Sequence, residues 1–133
     1  MSEIKKYYDS NGVLMAIVIP SDFKTNGIDF LTKDEDLQQL GVMSHPANHV
    51  ILPHYHNMIE RKVGYTTETL VIRKGVLEVC LFENKELVHK FNIKTGDILT
   101  LLSGGHGFTV KEEVDMVEIK QGPYVGEGDK TRF

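Results

Sequence analysis

The sequence has a single cysteine, Cys80, among its 133 residues, so it has no partner for an internal disulfide. Cys80 lies in the apolar segment VLEVCLFE and is interpreted as a small core residue of a protein in a reducing compartment. Long apolar runs are also missing, since the longest, Val13 to Ile19, is too short to cross a bilayer. The N-terminal MSEIKKYYDSNG lacks the apolar region of a signal peptide. The sequence therefore predicts a cytoplasmic protein with no membrane partner.

Basic clusters and several familiar catalytic signatures are missing as well. The net charge is −4, with both signs mixed along the chain, and no RNP-like aromatic motif occurs, which argues against nucleic acid as a partner. There is no GxSxG, CxxC or Cys/His dyad, which argues against the usual nucleophilic enzymes and zinc fingers. The length indicates one domain, residues 1–133, that buries a core without disulfides.

Short strand-like segments separated by turn residues make up most of the chain. Their even spacing predicts an all-β sandwich or barrel. The predicted strands are residues 4–8, 13–19, 66–73, 76–83, 86–93, 98–102 and 114–120, with a further histidine-containing strand after 50–52.

One short helix is predicted near residues 33–40. Thr32, with Glu35 three residues later, has the spacing of a capping box, and Gly41 stands where a helix commonly ends.

The N-terminal hairpin predicts self-association. Tyr7-Tyr8 and Val13 to Ile19 flank an Asn11-Gly12 turn, and such a hairpin at the start of a small barrel is suited to pairing across a two-fold axis. We therefore expect a homodimer.

Two histidines and a glutamate form the strongest candidate site. His54 and His56 are two positions apart, so on a strand both imidazoles lie on the same face. The following TTETLVIRKG is interpreted as a partner strand that carries Glu68 and ends in a turn at Lys74-Gly75. Imidazole and carboxylate ligands that converge are typical of a divalent transition-metal site.

A third histidine follows a glycine-bounded strand. In GDILTLLSGGHGF, Gly96-Asp97 opens a turn, residues 98–102 form an apolar run, and Gly104-Gly105 bends the chain before His106. The pattern predicts His106 as the fourth ligand.

This order of strands and ligands resembles a small single-domain cupin. The first motif of that family is G-x5-H-x-H, then three or four residues, Glu, six residues and Gly. It is matched at His54-x-His56 and at Glu68-x6-Gly75, with eleven residues between His56 and Glu68. Lengthening both strands of a hairpin equally keeps each residue on its face, so Glu68 still meets the histidines.

The second cupin motif, G-x5-P-x-G-x2-H-x3-N, is matched at Gly96 and Gly104. Leu102 replaces Pro, His106 comes one residue early, and Val110 replaces Asn. The segments ERKVGYTTETLVI, GDILTLLSGGHGF and KQGPYVGEGDKTRF are together similar to a group of small bacterial cupins associated with polysaccharide biosynthesis.

The resemblance implies a jelly-roll barrel, the cupin double-stranded β-helix. It also implies that His54, His56, Glu68 and His106 bind Fe, Mn, Ni or Zn. The metal centre would act on a small polar molecule such as a sugar or hydroxy acid, by isomerase or oxygenase chemistry. Two alternatives are a non-catalytic binder of a metal or small ligand and a metal-free sugar-nucleotide isomerase whose histidines act as acid and base.

Glu60 is the rival carboxylate ligand, because its distance from His56 satisfies the shorter family spacing. Its neighbours Arg61 and Lys62 are charged, and no glycine follows it at the Glu-x6-Gly spacing of the family, so a solvated loop position is favoured for Glu60.

Other candidate residues are less specific. His45 and His49 are interpreted as turn or surface residues with a possible ligand contact, and His89 as exposed. Residues that suit the mouth of a pocket are Tyr65, Arg73, Phe108 and Tyr124.

Overall fold

The computed structural model describes residues 2–133. The chain divides into two compact units. The sheet unit is the chain up to Phe23 together with Thr66–Phe133, and the loop unit is Lys24–Tyr65. Each unit is described by itself.

The sheet unit contains six antiparallel strands. They are β1 (Lys5–Tyr8), β2 (Leu14–Ile19), β5 (Glu68–Glu83), β6 (Glu86–Lys94), β7 (Ile98–Leu101) and β8 (Gly105–Lys120), and the loop unit contributes β3 (Gly27–Phe30) and β4 (Gly41–Ser44). In the sheet unit the neighbour order is β1-β2-β7-β5-β6, and β8 pairs with β5. A 3-10 helix, Gly126–Asp129, follows β8. The prediction of an all-β chain is confirmed.

The sheet curls into a half-barrel, which is visible from contacts between strands that are not neighbours. β1 and β6 stand at opposite ends of the strand order, yet the Tyr7 ring stacks on Phe91 with centroids 4.0 Å apart. The His89 imidazole donates a hydrogen bond to the carbonyl oxygen of Tyr8 at 2.7 Å. These contacts fasten the two end strands together.

The long ladder between β5 and β8 folds over near its middle. Its register is irregular between Ile72 and Leu77, and Gly75 there has a φ of 97°. A Cβ on Gly75 would lie 2.0 Å from the backbone oxygen of Glu113, so only glycine fits. Register irregularities of this kind bend a strand and increase its twist. The fold brings the inner faces of the two ladder halves toward each other.

The core lies between these inner faces. Leu70 and Ile72, before the bend, and Leu77, Val79 and Leu81, after it, are almost completely buried. They pack with apolar side chains of β2, β6 and β7. Glu68, Leu70 and Ile72 occupy alternate positions of β5 and so share a face, and Glu68 is buried with the two apolar residues.

Asp97 fixes the turn that enters β7. Its carboxylate accepts hydrogen bonds from the backbone N–H groups of Ser21, at 3.0 Å, and Lys94, at 2.9 Å. We expect Asp97→Ala to lower the free energy of unfolding by about 2–4 kcal/mol, because two partly buried N–H groups lose their acceptor. Asp115→Ala, at an exposed position, is the control and should change it by less than about 0.5 kcal/mol. Urea unfolding measures both, and equal effects would contradict this role of Asp97.

The helix predicted near residues 33–40 is wrong. These residues form the loop of a hairpin in which β3 pairs with β4, and the Leu31 N–H donates to the Leu40 carbonyl oxygen at 2.8 Å. The Thr32 hydroxyl accepts from the Leu40 N–H instead of capping a helix, and the Asp36 carboxylate accepts from the Lys33 N–H. Short polar side chains that bond nearby backbone compete with helix formation.

Three predicted strand boundaries also change. The segment with His54 and His56 contains no strand, so it is not the hairpin partner of the Glu68 strand, whose N-terminal half pairs with β7 and β8. The predicted turn at Lys74-Gly75 is a bend inside one continuous strand, β5. The strand predicted over residues 114–120 begins earlier, because Gly105–Lys120 is one continuous strand, β8, that includes His106. At Lys74-Gly75, pairing of both halves of β5 with β8 overrides the local turn signal.

The N-terminal hairpin is observed as predicted, with β1 antiparallel to β2. The homodimer inferred from it stays a prediction. Across residues 2–133, no helix has the length and apolar character needed to cross a membrane.

Candidate functional site

The side chains of Glu68 and His106 are in hydrogen-bonding contact inside the sheet unit. Nε2 of His106 lies 3.3 Å from Oε2 of Glu68. The Glu68 side chain is 8% exposed and that of His106 is 31% exposed. A buried carboxylate thus meets an imidazole that remains accessible from one side.

The folded ladder explains how these residues meet. In register, Glu68 lies opposite Lys120, whereas His106 lies opposite Leu81, thirteen residues further along β5. A straight strand would separate Glu68 from Leu81 by about 43 Å. The bend at Gly75 brings the two ends of β5 together, so His106 reaches across the half-barrel to Glu68. The metal-ligand roles of these two residues stay a prediction.

Two further charged residues were missed from the sequence. Glu118 lies opposite Leu70 and Lys120 lies opposite Glu68, so both stand on the inner face with the candidate ligands. The order of residues in β8 shows that Glu118 and Lys120 share a face, but only the register between β5 and β8 shows that this is the face on the side of Glu68. Glu118 is therefore a second carboxylate at the site.

The Glu68 carboxyl is held in its charged form. The hydrogen bond from the His106 imidazole is the main reason that the pKa of Glu68 lies below its ordinary value. Burial opposes this shift, while a hydrogen bond with the Glu118 side chain and the positive charge of Lys120 support it. Glu68 is thus available as an anionic ligand or as a hydrogen-bond acceptor.

His54 and His56 lie in the loop unit, where their rings face each other edge to face with centroids 5.5 Å apart. Both residues are exposed. Nδ1 of His54 lies 2.7 Å from the carbonyl oxygen of Leu52, and because a carbonyl only accepts, Nδ1 is the donor. In the neutral form of this ring Nε2 carries the lone pair, and metal-binding histidines are commonly oriented by such a bond from the other ring nitrogen.

Glu60 belongs to the loop unit together with His54 and His56. It is exposed, and within residues 2–133 it forms no ion pair. In neither unit do three or more His, Cys, Asp or Glu side chains of the described chain converge in a geometry that holds a metal. The set of His54, His56, Glu68 and His106 stays a prediction, as does the rival Glu60.

The remaining histidines have different environments. His45 and His49 stack face to face with centroids 4.1 Å apart, and Nε2 of His45 is buried without a hydrogen-bond partner among the described residues. His89 was predicted to be merely exposed, but its hydrogen bond to Tyr8 makes it part of the closure between β1 and β6.

The residues predicted at a pocket mouth are described unit by unit. The Phe108 ring lies 5.5 Å from that of His106. Arg73 lines an open hollow at the bend of the ladder, and Tyr124 lines a second hollow near the end of β8. Tyr65 is exposed in the loop unit. Of the three in the sheet unit, Phe108 is the one whose ring lies beside His106.

Searches against protein-family models, curated proteins and solved structures give no match to this chain. The chemistry of the site is therefore argued from its residues. An accessible imidazole hydrogen-bonded to a buried carboxylate suits two tasks, transfer of a proton and binding of a cation.

Proposed function

We propose that this protein is a metal-binding cupin that acts on a small polar molecule. In this proposal the jelly-roll barrel is completed around a divalent ion bound by His54, His56, Glu68 and His106. The observation that carries it is the contact between Glu68 and His106, which come from opposite ends of a folded ladder and meet at a concave inner face.

The donor set fits a transition metal. Two ligand atoms bound to a tetrahedral ion at about 2.0–2.2 Å are separated by about 3.3–3.6 Å, and the Glu68 oxygen and His106 nitrogen are 3.3 Å apart. The oriented His54 imidazole supplies a nitrogen donor of the same kind. Three imidazoles and one carboxylate suit Fe, Mn, Ni or Zn better than Mg or Ca, which prefer oxygen ligands.

In this proposal the metal and the protein's side chains have separate roles. A bound metal would polarise an oxygen of the ligand as a Lewis acid or, if it is iron, support oxygen chemistry. Burial of Glu68 keeps water away from one side of the site, while the exposed side of His106 faces the ligand. Phe108 adds an apolar surface beside that imidazole. Isomerisation or oxidation of a sugar or hydroxy acid is the reaction type proposed.

A metal-free alternative is favoured by Glu118. With this second carboxylate hydrogen-bonded to Glu68, the site contains an imidazole and two carboxyl groups, which are sufficient for proton transfer during an isomerisation. A non-catalytic binder of a metal or small ligand uses the same residues and is the third candidate.

Elemental analysis of protein purified without added metal is the decisive experiment. We expect about one equivalent of a transition metal per chain. Iron would favour oxygen chemistry, and another transition metal would favour Lewis-acid chemistry or binding. Absence of metal, together with no uptake of added Zn²⁺, Ni²⁺, Mn²⁺ or Fe²⁺ by calorimetry, would overturn the metal proposal in favour of the acid/base alternative.

A further inference from the structure

The strand β8 has one open edge. Within residues 2–133 it pairs with β5 alone, and no backbone hydrogen bond outside that ladder involves residues 105–120. None of its 16 residues is buried, although β5 beside it carries much of the core. An edge of this kind presents unpaired backbone N–H and C=O groups that a further strand can pair with.

Both apolar and charged side chains are exposed along β8. Phe108, Val110 and Met116 lie opposite core residues of β5 in register, yet they are 37%, 54% and 41% exposed. The charged residues 111–113 stand between Val110 and Val114. Charges on an edge strand discourage pairing with an arbitrary strand. A partner of this edge must therefore match its charged positions as well as its apolar ones.

A second copy of β8, running antiparallel, provides such a match in one register. With a two-fold axis through Glu112, each contact between two different residues occurs twice. Apolar residues then face apolar residues, and each basic or imidazole side chain faces a carboxylate. The facing pairs are Phe108 with Met116, Val110 with Val114, Lys111 with Glu113, and His106 with Glu118.

This match is specific to the axis at Glu112. An axis one residue earlier sets Val110 opposite Glu112, and an axis one residue later sets Phe108 opposite Glu118. The like-charged pair in the favoured register is Glu112 with its own copy, on the axis itself. The axis also falls within the bend of the ladder, which on β8 lies between Val110 and Met116. Two copies therefore bend at the same place, and pairing continues on both sides of it.

We propose that the open edge of β8 binds a second copy of this chain, with the two β8 strands paired antiparallel about Glu112. The sheet of one copy then continues into the sheet of the other. This interface differs from the one predicted from the N-terminal hairpin, because β1 and β2 take no part in it. The proposal does not rest on the proposed function.

A cysteine at residue 112 gives the sharpest test, because the axis places this residue opposite itself. Facing residues of antiparallel strands have Cβ atoms about 4.5–5.5 Å apart, at the upper limit of what a disulfide bridges. We expect Glu112→Cys, in a Cys80→Ser background, to become mostly disulfide-linked dimer when diamide is added as the oxidant. Glu86→Cys, at an exposed position of β6, is the control and should stay monomeric on a non-reducing gel.

A charge exchange tests the same register without a cross-link. Lys111→Glu and Glu113→Lys each set like charges opposite one another twice, and each should weaken the dimer about tenfold or more in analytical ultracentrifugation. The double variant should restore it. Within one chain Lys111 contacts Glu78 and Glu113 contacts Lys74, both at 3.6 Å. The double variant makes both of these contacts repulsive, so a role inside one chain would not be rescued by it.

Three results would overturn the proposal. One is a monomer throughout the micromolar range, and another is a Glu112→Cys protein that links no more than its Glu86→Cys control. The third is a dimer that both single charge variants leave unchanged, which would place the contact on another surface such as the N-terminal hairpin.

Discussion

Metal content falls sharply when Glu68 is replaced by alanine, if the proposed ligand set is right. Loss of a residue that only supports a ligand typically lowers metal affinity about 10- to 100-fold, and loss of a ligand itself should exceed that. Glu68 is the only carboxylate of the proposed set, so its removal leaves a site of neutral imidazoles. The expected result for Glu68→Ala is less than about one tenth of the wild-type metal content, measured by elemental analysis after dialysis.

Glu60→Ala is the matched control, because Glu60 is the other carboxylate at family spacing from His56. It is exposed and belongs to a charged segment, so we expect nearly unchanged metal content. Glu68→Gln, which keeps the shape of the side chain, should behave like Glu68→Ala, and circular dichroism checks that each variant keeps its strand content. Metal retained in both Glu68 variants and lost in Glu60→Ala would show that Glu60 is the ligand.

A large loss of stability is expected when Gly75 is replaced by alanine. At a φ of 97°, an L side chain is strained by about 1–2 kcal/mol. The added Cβ would also lie 2.0 Å from the Glu113 backbone oxygen, and relieving such an overlap costs about 1–3 kcal/mol more. We expect Gly75→Ala to lower the free energy of unfolding by about 2–5 kcal/mol in urea unfolding.

Gly12→Ala separates the two contributions. Gly12 also has a positive φ, 78°, but a Cβ there meets no atom within 4 Å. Its cost should be only the conformational part, about 1–2 kcal/mol. If both variants lose the same stability, the β5 and β8 backbones do not approach at Gly75 as described. Because the bend also brings His106 to Glu68, Gly75→Ala should reduce metal content as well, whereas Gly12→Ala should not.

The sequence by itself determined the strand class and the local turns. The two-residue spacing of Glu68, Leu70 and Ile72 places all three on one face of β5, because successive strand side chains point to opposite faces. The hairpin around Gly12 depends on a glycine, which readily adopts the positive φ of 78° found there. These are properties of a few neighbouring residues, so they can be predicted from a short stretch of chain.

Only the tertiary structure decided which strands pair and where a ladder bends. The Lys74-Gly75 pair has the local signature of a chain reversal, yet pairing of both halves of β5 with β8 turns it into a bend within one strand. The polar stretch after Thr32 has the spacing of a helix start, but the pairing of β3 with β4 makes it a hairpin loop. Glu118 lies near Glu68 because the register between β5 and β8 places it opposite Leu70. Local patterns determine the face and the turn of a residue, whereas its partner across a sheet depends on which distant strands bury the most apolar surface together.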